Sequence, residues 1–241
     1  MNVQLDQIWV YLSATPLLGL TLTLLAYQAA YWLYTRSGMN PLANPVAIAV
    51  AILVLVLLLT DTPYKTYFDG AQFVHFLLGP ATVALAIPLY AQLARLRSML
   101  VPALVALVAG SLTAAASAMA IAWALGATRV TTMSLAPKSV TTPIAMGIAE
   151  KIGGLPSLTA VLVISTGIIG AVIARSLLNA IRIEDHAVRG FAVGLAAHGI
   201  GTARAFQVSE VAGAFAALAM GLNGVATALL VPLIAAWIGA R

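Results

Sequence analysis

The chain has no cysteine among its 241 residues, which removes disulfides, thiolate chemistry and cysteine-ligated metals together. Charge is also scarce: 8% of residues are Asp, Glu, Lys or Arg, against about 25% in a soluble domain. Acids are the scarcest. The seven present are Asp6, Asp61, Asp69, Glu150, Glu184, Asp185 and Glu210. All of them flank apolar runs, so no acid pair shares a helix face for hydrolytic work. The histidines His75, His186 and His198 are scattered without metal-ligand spacing, and no metal site is expected. A His-Glu-x-x-His pair, a Gly-x-Ser-x-Gly elbow, a Walker loop and a dinucleotide fingerprint are all missing, so the chain reads as no enzyme, with no catalytic residues and no cofactor. Without a nucleotide loop, any transport draws on a gradient or on a partner. The net charge of +5 comes with no basic stripe or stacking platform, which argues against nucleic acid.

What is abundant is apolar: 62% of residues are hydrophobic. A water-soluble core of this length could not hide so much apolar surface, whereas a bilayer can. The runs are continuous and far longer than the alternating segments of about 10 residues that build a membrane barrel. The expected fold class is an all-α polytopic membrane protein, multi-pass in the plasma (inner) membrane, with seven to eight helical elements. Met1–Gln7 lacks a positive n-region, so the first apolar run is read as a permanent span rather than a cleaved signal.

Eight elements are expected near 8–34, 43–60, 71–93, 98–125, 131–150, 157–180, 188–207 and 210–238, with the breaks Thr35–Pro41, Asp61–Asp69, Arg95–Ser98, Gly126–Arg129, Lys151–Pro156 and Arg182–Arg189 between them. No break could hold a soluble domain, so residues 1–241 read as one membrane domain. Three elements are interrupted. The third carries Gly79 and Pro80 with Thr82, the fifth Pro137 to Pro143, and the seventh His198, Gly199, Gly201, Thr202 and Arg204. Such discontinuous helices form midplane sites in many secondary transporters. Gly79-Pro80-Ala81-Thr82 echoes Gly199-Ile200-Gly201-Thr202, which suggests repeats over 43–125 and 157–238. If these are inverted, a re-entrant fifth element leaves seven crossings with the N-terminus outside. Arg36, Arg95, Arg97, Arg175, Arg182, Arg189 and Arg241 then face the cytoplasm.

Lys138 carries the sharpest signal. No Asp or Glu occurs from Ala71 to Ala149, so no acid nearby in sequence neutralises the ammonium. A charge at membrane depth costs roughly 3 kcal/mol or more and marks a pathway or a site. Pro137 and Pro143 break the helix around it, while Ser139, Thr141 and Thr142 add hydroxyls. A new half-helix after Pro143 would present free amides and a partial positive charge. Lysine, hydroxyls and amides together make a cradle for a carboxylate. The plainer alternative is a lysine that snorkels to the interface. Arg204 is either a second positive residue or an interfacial one. His198 is either a proton-linked group or a core residue on a carbonyl. Proton coupling suits a chain with no acid inside its spans, although carbonyls and hydroxyls could also hold Na⁺. Thr82 and Thr202 complete the hydroxyl set, and Gly79, Gly199 and Gly201 permit the breaks.

The stretches Leu78 to Ala86, Pro137 to Ala145 and His198 to Arg204 resemble the LrgB/CidB family, as do Gly153 to Ala160 and Gly213 to Gly221. The likeness runs through nearly the whole chain in order. It implies a fold of crossed, broken helices with two inverted repeats. It also implies one of two functions. The first is a transporter of small monocarboxylates of the glycolate, glycerate, lactate or pyruvate type, as the plastidal relatives suggest. The second is an antiholin-like regulator of murein hydrolases and autolysis, acting with a small LrgA/CidA-type membrane partner. A homo-oligomer, a dimer, is expected. The aromatic residues Tyr27, Tyr31, Trp32 and Tyr34 read as interface anchors particular to this chain.

Overall fold

The computed structural model describes residues 16–239, so the start of the first expected element and Arg241 lie outside the described residues. These residues are helical, with no strand among them. They fall into two units that divide after residue 84.

The first unit holds α1 (Pro16–Arg36), α2 (Pro45–Leu59), α3 (Tyr64–Phe76) and α4 (Leu78–Ala84). Asn44 starts α2: its Oδ1 accepts from the amides of Val46 at 2.9 Å and Ala47 at 3.2 Å, and Pro45 follows at the first helical position, where its missing N–H costs nothing. Helix α1 packs on both α2 and α3. Ala26, Ala30 and Ala49 form its small core with Ile48, Ile52 and Leu53. Gly19 brings α1 close to α3, and Thr23 Oγ1 is 2.7 Å from the Tyr67 hydroxyl. Tyr27, Tyr31 and Trp32 are exposed, with the Arg36 guanidinium 5.0 Å from the Trp32 ring centre, but Tyr34 is buried. Three of the four expected anchors therefore face outward, and the fourth is core. The expected Asp61–Asp69 break is shorter than the sequence suggests, because α3 already begins at Tyr64. Lys65 and Asp69 are solvated residues in the first turns of a helix and do not end one.

The second unit holds α5 (Ala86–Ala91), α6 (Leu93–Ser98), α7 (Leu100–Ala124), α8 (Arg129–Leu135), α9 (Thr142–Lys151), α10 (Pro156–Ala180), α11 (His186–Val208) and α12 (Glu210–Gly239). Helices α11 and α12 form a hairpin joined at Ser209 and share the most extensive helix contact. Small residues make that approach possible. A methyl built on Gly190 or Gly194 would overlap the carbonyl of Ala212 or Ala216 on α12. One apolar core gathers Ala115 and Met119 of α7, Met133 of α8, Val140 of the turn that follows it, Ala145 and Ile148 of α9, Val163 of α10, and Val231 of α12. A second joins Leu107, Phe191, Leu195, Phe215 and Ala219. The first core includes Ala136 and Val140 between α8 and α9, and the second includes Leu195 of α11.

Among the described residues, five stretches are long and apolar enough to cross a bilayer: Leu17–Arg36, Tyr64–Ala91, Leu100–Ala124, Pro156–Ala180 and Glu210–Trp237. Helix α2 is apolar but has only 15 residues, about 22 Å at the α-helical rise, against a hydrocarbon core of about 30 Å. The fifth expected element is two short helices. Neither α8, with 7 residues, nor α9, with 10, is long enough to span by itself.

Candidate functional site

The site begins with backbone. Helix α8 ends at Leu135, and the chain does not become helical again until Thr142. The turn in between is tight: the Lys138 amide donates to the Leu135 carbonyl at 3.1 Å, and the Val140 amide to the Pro137 carbonyl at 3.3 Å. Pro137, Ser139 and Val140 are buried, whereas Lys138 is half-buried. Its Nζ donates to Ser139 Oγ at 3.2 Å, and the described residues contain no salt bridge to it. Thr141 precedes α9 but its hydroxyl does not cap the helix. Thr142 and Ile144 stand in the first turn of α9, where amides have no partner within the helix, while Pro143 has no N–H to offer. Half-buried ammonium, buried hydroxyl and helix start thus lie within seven residues of chain.

The second interruption is in α11. At His198 the backbone turns to φ 41° and ψ −135°, well outside helical geometry, and helix resumes beyond it. His198 is buried, and Nε2 lies 2.9 Å from the Val163 carbonyl oxygen of α10. Thr202 Oγ1 donates to the His198 carbonyl at 2.8 Å, so this hydroxyl is bound to its own helix. Gly199 and Gly201 follow the turn directly, yet the residue that takes the positive φ is the histidine itself.

The remaining candidates are placed differently. Arg204 NH1 donates to Gln207 Oε1 at 3.1 Å, three residues along the chain and on an exposed face. Gly79, Pro80 and Thr82 are exposed on α4, within the first unit. Lys138, Ser139, His198 and Thr202 belong to the second unit, with Lys138 bonded to Ser139 and Thr202 to His198.

Asn223 is the residue that sequence reasoning missed. It is 1% exposed in the middle of α12. Its Nδ2 donates to the Ser139 carbonyl at 3.1 Å and to the Leu195 carbonyl at 2.9 Å. Its Oδ1 accepts from Ser111 Oγ at 2.6 Å and Thr227 Oγ1 at 3.1 Å. Four elements therefore meet at one carboxamide. The available signal was a lone amide inside an apolar run that has no other use for it.

The comparisons fall on the same stretch of chain. Residues 23–237 match the LrgB-like family. The chain belongs to the LrgB-like family. It is 37% identical over 216 residues to YwbG of Bacillus subtilis (strain 168), covering 90% of this chain and 96% of that one. It is 32% identical over 225 residues to the antiholin-like protein LrgB of Bacillus mycoides (strain KBAB4), covering 93% and 98%. The antiholin-like protein LrgB of Bacillus cereus (strain B4264) gives the same identity and coverage. No solved structure matches. The matched region contains the Lys138 turn, the His198 break and Asn223 alike. With its apolar helices, this LrgB-like chain is a multi-pass protein of the plasma membrane.

Proposed function

We infer that this LrgB-like protein is antiholin-like: a membrane protein that restrains murein hydrolase activity and autolysis, working beside a small LrgA/CidA-type membrane partner and as a homodimer. The observation that carries this reading is the end-to-end likeness to proteins named antiholin-like, over 98% of their length. The test is complementation. A Bacillus cereus strain deleted for its LrgB relative is given this chain, and detergent-induced autolysis is followed by turbidity. Slower lysis than the deletion strain supports the reading; an unchanged lysis curve with the protein present in the membrane defeats it.

The Lys138 cluster favours a second reading, carriage of small monocarboxylates of the glycolate, glycerate, lactate or pyruvate type. A structure that only plugs or forms a hole needs no half-buried ammonium beside a buried serine and a helix start. In this reading Lys138 is the counter-charge. Ser139, Thr141 and Thr142 donate to the carboxylate. His198 links a proton to the cycle, with Na⁺ as the other candidate coupling ion. Thr202 and Arg204 are outer contributors. Counterflow of labelled glycolate in proteoliposomes separates the readings. A carrier exchanges label without leaking unrelated solutes, a hole leaks everything small, and a regulator does neither.

A further inference from the structure

One buried side chain bonds to both interruptions. Ser139, whose carbonyl accepts from Asn223, follows Lys138 in the unwound turn; Leu195, whose carbonyl accepts the second Asn223 hydrogen, lies three residues before the break at His198. In an unbroken helix the Leu195 carbonyl would be the partner of the Gly199 amide, on the far side of that break. The orientation of the carboxamide is fixed. Ser111 and Thr227 hold Oδ1, and turning the group over would set Oδ1 against two carbonyl oxygens that have no hydrogen to give. Nothing in helix packing calls for this residue. An apolar side chain would fill the same place in α12 without the penalty of a buried amide. Asn223 uses both amide hydrogens and its oxygen here, and the groups it serves lie on three other parts of the unit.

We propose that Asn223 is a positioning residue that holds the Lys138 interruption and the His198 interruption at one spacing, so that movement of either break is passed to the other. Its consequence for anion handling rests on the carboxylate reading of Lys138; its structural content does not.

The absence of native cysteine makes the test clean. Gly147 of α9, where an added Cβ meets nothing within 4 Å, and the exposed Ala203 beyond the break in α11 are changed to cysteine in the full chain. Both are spin-labelled, and their separation is measured in lipid nanodiscs. The parent gives one narrow distance. Asn223→Leu, near in volume but without donors, broadens or splits it. Asn223→Asp broadens it too, because its carboxyl has one hydrogen to give to the two carbonyls in mildly acid buffer and none in alkaline buffer, where the broadening is greatest. Parent-like distributions in both variants overturn the proposal. Should Asn223→Leu fail to fold, a narrow, pH-independent distance in Asn223→Asp overturns it alone. In glycolate counterflow, Asn223→Leu raises the half-saturation concentration several-fold while the maximal rate changes less. If Lys138→Ala leaves counterflow intact, the carboxylate reading fails, and the distance measurement still decides the role of Asn223.

Discussion

The imidazole of His198 rests on Gly167: a methyl built at that glycine would lie 2.7 Å from Cε1, 2.8 Å from Nε2 and 2.9 Å from Ile200 Cδ1. The glycine on α10 is therefore what lets the ring of α11 reach the Val163 carbonyl. Gly167→Ala should push the ring away from that carbonyl. Overpacking of this kind costs about 1–3 kcal/mol, and a buried imidazole without its partner adds to it. The expected result is a lower thermal midpoint in detergent and a loss of whichever activity the site performs. Gly221→Ala is the control, because nothing lies within 4 Å of the Cβ it would add. Equal midpoints for the two variants would mean that His198 is not wedged as described.

Lys138→Ala tests the centre of the site. The ammonium is half-buried and gives one hydrogen bond, to Ser139. Removing a charge that lacks an acid partner relieves a desolvation penalty, so stability should hold or rise. Glycolate counterflow should disappear. A folded Lys138→Ala protein that still exchanges label would take the residue out of the carboxylate role. Autolysis measured with the same variant shows whether the antiholin-like reading depends on the cluster at all.

The interruptions were legible because they rest on local chemistry. Pro137 and Pro143 remove backbone donors, and Gly199 and Gly201 weaken a helix beside His198. The fragmentation of residues 64–98 into four short helices was less so. There Gly79-Pro80 was visible as a break, but the helix start at Tyr64 was hidden by charges that helices tolerate at their solvated ends. Asn223 was illegible for a different reason. Its partners Ser139, Leu195 and Ser111 lie between 28 and 112 positions away in the chain, and no periodicity or spacing links residues so distant. Sequence pattern identifies where a helix stops; it does not identify what catches the groups set free there.

Ser134 offers a test of the scaffold behind Lys138. It is fully buried, donates to the Val130 carbonyl at 2.7 Å and accepts from the Leu155 amide at 2.8 Å, at the start of α10. Thr159 Oγ1 adds a bond to the Ser134 carbonyl at 3.0 Å. Ser134→Ala takes the side-chain partner from the part-buried Leu155 amide, at a cost of about 1 kcal/mol. Ser134→Thr can keep both bonds but must place a methyl where there is no space. Ser134→Ala should therefore lower the thermal midpoint measurably, and Ser134→Thr should not restore it. A midpoint unchanged in Ser134→Ala would show that water reaches the Leu155 amide.

Asp185 supplies the pH dependence that can be read outside the bilayer. Its Oδ1 accepts from the amides of Val188 at 3.1 Å and Ala187 at 2.8 Å as the cap of α11, and its Oδ2 meets Arg95 NH2 of α6 at 2.5 Å. The Val188 amide first, then the Ala187 amide and the Arg95 guanidinium, hold the carboxyl below its ordinary value. A carboxyl depressed in the folded state contributes stability that is present above the unfolded pKa and lost as pH falls through the folded one. The thermal midpoint should thus fall in acid, below about pH 4. The Asp185 side chain is 46% exposed, so solvent screens the ion pair and its share is under about 1 kcal/mol. Asp185→Asn keeps a capping oxygen and should lose little at neutral pH, while flattening the acid limb of the curve. Asp185→Ala removes the cap as well and should cost about 1 kcal/mol at every pH above that limb. Raising the salt concentration should narrow the gap between parent and Asp185→Asn, and leave the gap between Asp185→Asn and Asp185→Ala in place, because ions screen the pair but not the cap.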